Sequence, residues 1–411
     1  MRVNSFLKFV LLMSSGFLIS LATVGKETSS DLETFSCSIG TLPGLEDLAV
    51  ISELPNPFIG INGKMIKTKK DWACRRVEIS AQAQAYQLGN KPAAPEKVSA
   101  QMQGENLLIT VEDKGTTISF TAKITLPKTG KAPYPAIIGI GGSWINNDEL
   151  AKQGIAIIQF PNNEIAEQLN GSSRGKGKFY DLYGNDQSAG ALMAWAWGVS
   201  RLIDALETTP SSQISAAHLG VTGCSRNGKG ALVVGAFDER IKLTIPQESG
   251  AGGSASWRVS DNQLASGQKV QTLAQIVTEN VWFADNFKLF SQAANRLPYD
   301  QHSIMGMIAP RGLLLIENTS MEWLGDRSTY TAALAAREIW KALGVESHFG
   351  FTQLGGHNHC ELPAQQVPEI AAFVQKFLLD DKTAPTKTFK TDTQFTVDKS
   401  KRIPWKTPTL R

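Results

Sequence analysis

The tightest constraint on this chain is the run Val221-Thr-Gly-Cys-Ser-Arg-Asn-Gly-Lys-Gly230. Leu219 to Val221 reads as a short apolar strand and Gly228 to Phe237 as a helix, so Ser225 falls at a tight strand-to-helix turn. A serine in such a turn is held out over the edge of a sheet, and the backbone N–H of the next residue faces the same space. Gly223 and Gly228 supply the small neighbours the turn needs. The common esterase signature is Gly-x-Ser-x-Gly, but here Asn227 holds the last glycine position and Gly228 follows one place later. The same residues nearly spell a phosphate loop, Gly223, four residues, then Gly228-Lys229. Gly230 replaces the Ser or Thr that would hold magnesium, which argues against nucleotide binding.

Periodicity on either side gives the fold class. Residues 107–126 alternate apolar and polar around a turn at Asp113-Lys-Gly115, which predicts a hairpin with one buried face. Ala136-Ile-Ile-Gly-Ile140 and Ile155-Ala-Ile-Ile158 are continuous apolar runs of the kind buried parallel strands show. Leu243-Thr-Ile245 and Gly312 to Ile316 add further strands. Between Ser188 and Glu207 the period becomes helical, with Leu192, Trp195, Val199, Leu202, Ile203 and Leu206 on one stripe, and Ala332 to Leu343 is helical too. Strands alternating with helices predict an α/β fold, a mostly parallel sheet covered on both faces. No repeat and no linker divides the chain, so 26–411 is expected to be a single domain. The tail from Asp381 is rich in Lys and Thr, yet Trp405 and Pro408-Thr-Leu410 suggest that it packs back.

Arg2 and Lys8, the apolar stretch Phe9 to Ala22 and Ser20-Leu-Ala22 read as a signal peptide over 1–22, with cleavage at the latest after Gly25. A membrane anchor needs roughly 18 or more apolar residues, and Ser14, Ser15 and Gly16 interrupt this stretch. The protein is therefore expected outside the cytoplasm, extracellular or, in a bacterium, periplasmic, with no membrane attachment after cleavage. Four cysteines in an exported chain suggest an even disulfide set, read as Cys37–Cys74 and Cys224–Cys360. Net charge is +3 with the signs interspersed, so nucleic acid is not an expected partner. Asn170-Gly-Ser172 and Asn318-Thr-Ser320 are glycosylation sequons in a host that glycosylates.

The later run Gly356-His-Asn-His-Cys360 sets His359 beside a cysteine, as Cys224 lies beside Ser225. A Cys224–Cys360 bridge would bring serine and imidazole within reach of each other, so His359 is the preferred base and His357 a supporting or merely structural residue. No metal site is expected: His218, His302 and His348 form no matching ligand pair, and a disulfide removes Cys360. The third member must be a carboxylate that fixes the imidazole tautomer. Glu248, after the strand that follows the serine helix, competes with Glu317 and Glu322, after the next strand, and position alone does not choose among them.

Together these runs resemble the glucuronoyl esterases of carbohydrate esterase family 15, from about Cys37 to Leu410. The resemblance is densest at Gly223 to Lys229, Gln247-Glu-Ser-Gly-Ala-Gly-Gly253, Gln271 to Asn280, Trp323-Leu-Gly325 and Gly356 to Cys360. It implies an α/β-hydrolase fold, a three-layer αβα sandwich, and a triad of Ser225, Glu248 and His359. It also implies the bridge Cys224–Cys360, an oxyanion role for Arg226, and sugar contacts from Lys229, Gln271, Glu279 and Trp323. One departure is that Ser256 precedes Trp257-Arg258 where many fungal members have a cysteine, and its later partner is missing too. A looser loop near the site is the expected consequence.

The implied reaction is hydrolysis of esters between 4-O-methyl-D-glucuronic acid of glucuronoxylan and lignin alcohols, by a monomer without cofactor. The partners are then glucuronoxylan and lignin-carbohydrate esters. Competing readings are an acetyl or feruloyl esterase, and a non-catalytic polysaccharide binder on a hydrolase scaffold. Taken by themselves, Gln271 and Glu279 are spaced like one solvated helix face, and Trp323 suits core as well as pocket. Lys229 is less ordinary, because a cation near a helix N-terminus opposes the helix dipole.

Overall fold

Residues alternate between the two faces of an extended strand, so a continuous apolar run serves two buried faces at once. The structure, a computed structural model, describes Cys37 and residues 39–411; the expected signal segment lies outside the described residues. Ten strands form one sheet: β1 (Lys97–Gln103), β2 (Asn106–Asp113), β3 (Thr116–Thr125), β4 (Tyr134–Ile140), β5 (Ala156–Phe160), β6 (Ile214–Cys224), β7 (Ile241–Gln247), β8 (Gly312–Asn318), β9 (Phe349–Leu354) and β10 (Phe389–Thr391). Their order is β1-β2-β3-β5-β4-β6-β7-β8-β9-β10. The first three pairings, up to β3–β5, are antiparallel and the rest parallel.

The face assignment follows the alternation. Ile138, Ile140, Leu313 and Leu315 join the larger core with the helices Ala191–Thr208 and Arg226–Phe237. Ile137, Leu314 and Ile316 point the other way, onto Ile370, Phe373 and Val374 of the helix Val367–Leu378. This is the three-layer arrangement expected of an α/β-hydrolase. The helix Ala191–Thr208 buries more than its predicted stripe, since Trp197 on the far side packs against Phe179 and Tyr183 of the short helix Lys178–Tyr183.

The tail does pack back. β10 extends the sheet beside β9, Trp405 stacks on His302 with ring centroids 5.7 Å apart, and Leu410 is buried. Ile39–Arg411 forms one compact unit. Among the described residues no helix is long and apolar enough to cross a membrane.

Candidate active site

Ser225 sits between β6 and the helix Arg226–Phe237 with φ 60° and ψ −126°. A non-glycine residue in this region is strained, and such strain is characteristic of functional turns. The turn closes by a hydrogen bond from the Ser225 N–H to the Gln247 carbonyl (3.0 Å). Its glycines are dictated by close approach: a Cβ on Gly223 would lie 2.4 Å from the Asn227 carbonyl, and one on Gly228 2.6 Å from the Gln247 carbonyl. The second glycine therefore comes one place late because position 228 is where the helix meets β7. Asn227 turns the other way. It fills the space over Gly141, and its Oδ1 accepts from Asn162 Nδ2 (3.3 Å).

Glu248 directly follows β7, at φ 44°, and its N–H donates to the Ile316 carbonyl (2.7 Å). Its carboxylate is fully buried. Oε2 accepts from His359 Nδ1 (2.7 Å), the Cys360 N–H (3.0 Å) and Asn318 Nδ2 (3.4 Å). A proton on Nδ1 leaves Nε2 of a neutral imidazole as the basic nitrogen. That Nε2 is buried and has no hydrogen-bond partner. Of the three candidate acids, only Glu248 meets His359. Glu322 is exposed and accepts from the Lys269 N–H (3.1 Å), while Glu317 is buried against Ser254.

The disulfide Cys224–Cys360 joins the residue before Ser225 to the residue after His359, with 5.8 Å between the Cα atoms. Cys37 and Cys74 are disulfide-bonded as well. The Cys224 and Cys360 sulfurs and a His359 ring nitrogen lie within 4.8 Å of one another, but bridged cysteines have no thiolate to offer a metal. His357 braces its own loop, its ring nitrogens 3.0 Å from the carbonyl oxygens of Leu354 and Asn358, and it also adjoins the acid: Nδ1 lies 3.8 Å from Glu248 Oε1, and its carbonyl accepts from Asn318 Nδ2 (3.3 Å).

The remaining predicted residues gather on one side. Lys229 is buried, its Nζ donates to the Ser249 carbonyl (2.8 Å), and it lies 5.6 Å from the ring centre of Trp282. Burial holds its ammonium down to a pKa of about 8, against the opposing fields of Glu279 and Glu317. The Arg226 guanidinium lies over the same indole, 5.5 Å from its centre. Its backbone N–H opens the helix, where the first N–H groups have no intrahelical partner. Gln271 precedes the helix Leu273–Glu279 and so shares no helix face with Glu279, yet its side-chain amide donates to the Glu279 carboxylate. The Gln271 N–H donates to the Trp323 carbonyl (3.0 Å). Trp323 stands edge-on to His359, ring centres 4.7 Å apart, with 38 % of its surface exposed.

Sequence reasoning missed Trp282, the floor beneath both cations, whose Nε1 donates to Gln168 Oε1 (2.7 Å). Its run Val281-Trp-Phe283 looks like core, and the only signal was its closeness to Asn280. The looser loop expected at Ser256 is a correction. Ser256 is fully buried, its Oγ donates to Asp300 Oδ2 (3.0 Å), and its carbonyl accepts from Ser328 Oγ (2.8 Å). Hydrogen bonds hold this position without a bridge. The Asn318 sequon is also unavailable in the folded chain, because Asn318 is buried and bound to Glu248; Asn170 is exposed.

Fold and site define a carboxylic ester hydrolase of the α/β-hydrolase type. A family model described as "Glucuronyl esterase, fungi" matches residues 109–344. The 4-O-methyl-glucuronoyl methylesterase of Hypocrea jecorina is 48% identical over 375 residues, 91% of this chain and 79% of that protein. The glucuronoyl esterase catalytic domain from the same organism superposes with a TM-score of 0.86 at 46% identity, over 91% of this chain and 100% of that one. A serine-to-alanine variant of the Sporotrichum thermophile glucuronoyl esterase, in complex with methyl 4-O-methyl-β-D-glucopyranuronate, gives a TM-score of 0.84 at 44% identity, over 89% and 97% of the two chains. The chain belongs to the glucuronoyl esterases of carbohydrate esterase family 15.

Proposed function

We propose that the protein hydrolyses esters between the 4-O-methyl-D-glucuronic acid branches of glucuronoxylan and lignin alcohols, with Ser225 as nucleophile, His359 as base and Glu248 as the acid that holds it. The observation that carries this reading is the 2.7 Å bond from His359 Nδ1 to a fully buried Glu248, which leaves Nε2 unpartnered, in a loop whose Cys360 is bridged to Cys224 beside Ser225.

His359 Nε2 takes the Ser225 proton as Oγ attacks the ester carbonyl. The oxyanion develops beside the Arg226 N–H and guanidinium, and charged donors in a water-poor site stabilise it most. His359 then gives its proton to the departing alcohol. Water, activated by the same nitrogen, releases the uronic acid and restores Ser225. Lys229, Gln271 and Glu279 offer charged and amide hydrogen bonds to the sugar hydroxyl and methoxy groups, and Trp323 adds a flat apolar face beside His359. The chemistry needs no cofactor. The protein acts as a monomer outside the cytoplasm, exported by residues 1–22.

Wild-type protein offered benzyl glucuronate and acetyl xylan separates this reading from its rivals. Turnover of the uronate ester with none on acetyl xylan is the expected result; the reverse preference would move the site to acetyl ester hydrolysis.

A further inference from the structure

Glu317 is the penultimate residue of β8, and its side chain is buried without touching His359. Its strand neighbours Leu315 and Ile316 are apolar. A carboxyl group at such a strand end costs free energy that an apolar side chain would not, unless its hydrogen bonds offset the cost. Those bonds all run to one turn. Ser254 Oγ donates to Glu317 Oε1 at 2.5 Å, and Ser249 Oγ lies 3.5 Å from the same oxygen. Ser249 Oγ also donates to Ser254 Oγ (3.0 Å) and accepts the Ser254 N–H (3.0 Å). Both serines are fully buried. The turn is too tight for a side chain at Gly253, where a Cβ would lie 2.4 Å from Ser249 Cβ.

The other end of this turn holds Lys229. The Ser249 carbonyl is the oxygen that accepts from Lys229 Nζ (2.8 Å), and the ammonium rests over Trp282 from there. A continuous path therefore runs from Glu317 through Ser254 and Ser249 to the ammonium. We propose that Glu317 is a positioning residue that fixes the turn from Ser249 to Ser254 and thereby aims Lys229 into the sugar side of the site. This rests on the reading of Lys229 as a sugar-binding residue. Burial, with Glu248 close by, pushes the Glu317 carboxyl up to about 8, while Lys229 pulls the other way. At neutral pH Glu317 thus acts as a hydrogen-bonding acid, whose closest replacement is glutamine.

Steady-state kinetics on benzyl glucuronate test this with Glu317→Leu, Glu317→Gln, Ser254→Ala, Lys229→Met and the double variant Lys229→Met with Glu317→Leu. Lost positioning of a group that binds substrate and transition state alike raises KM and spares kcat. Glu317→Leu and Ser254→Ala are expected to raise KM about tenfold with kcat within about twofold, and Glu317→Gln to stay within about twofold of wild type in both. Lys229→Met raises KM by about tenfold or more, and adding Glu317→Leu to it changes KM no further. Ser254→Ala cuts the same path with a smaller perturbation, so it decides the matter if Glu317→Leu does not fold. Additive effects in the double variant, a fall in kcat at unchanged KM, or a glutamine variant as impaired as the leucine one would overturn the proposal. An inactive wild type would instead overturn the functional reading, and this inference with it.

Discussion

Glu317 and Lys229 are both buried and both titrate near pH 8 by opposite routes, the carboxyl pushed up and the ammonium held down. Their effects on stability occupy adjacent pH windows. The folded Glu317 holds its proton between its ordinary pKa of 4.5 and about 8 while the unfolded chain has lost it, so stability falls as pH rises through that range. For Lys229 the unfolded chain holds the extra proton between about 8 and 10.5, so stability rises with pH there. Denaturant unfolding at pH 5, 6.5 and 8 is expected to show wild-type stability declining more than that of Glu317→Gln, whose amide does not titrate. Equal declines would mean that the carboxyl is ionised throughout. Residue chemistry also explains what the sequence hid here. Glu248 follows β7, Glu317 lies at the end of β8 and Glu322 follows it, all near the expected acid position, and nothing local says which strand end faces His359.

At the level of elements, the serine turn was legible because its determinants are local: the end of a strand, two close-approach glycines and the start of a helix fall within ten residues. The hairpin of β2 and β3 was legible for the same reason, its alternation pairing Ile109 with Phe120 and Val111 with Ile118. Three other strands, β1, β9 and the short β10 in the tail, were not read. β1 carries no fully buried side chain and so shows no clean alternation, and β9 buries Thr352 and Gln353, which break its apolar pattern. Trp282 was missed because its role comes from the cations above it, contributed by a helix some fifty residues earlier by sequence count. The Cys224–Cys360 bridge ties two such distant elements and closes a separation of 136 residues. In the chain-entropy picture a loop of that length is worth about 5 kcal/mol. Replacing both cysteines by alanine is expected to lower the melting temperature and to reduce kcat, because the bridge holds the His359 loop against the serine turn. Thermal melts with kinetics at 25 °C check this, and an unchanged kcat in a folded double variant would assign the bridge to stability alone.

Across the whole molecule, the site forms where the ends of β6, β7 and β8 lie side by side and the loop after β9 folds over them. β6 delivers Ser225, β7 Glu248, β8 Asn318, and the loop after β9 His359. The side proposed to face the sugar comes from the serine helix and from the segment between β7 and β8, where Gln271, Glu279 and Trp282 lie. One half of the arrangement thus suits ester chemistry and the other a hydroxylated acid. The most direct test is the turnover of benzyl glucuronate by wild type and by Ser225→Ala, with melting curves to show that both are folded. Measurable wild-type hydrolysis and a loss of about 10^4-fold or more in kcat for the variant are expected. Comparable turnover by a folded Ser225→Ala protein would contradict the role of Ser225 as nucleophile.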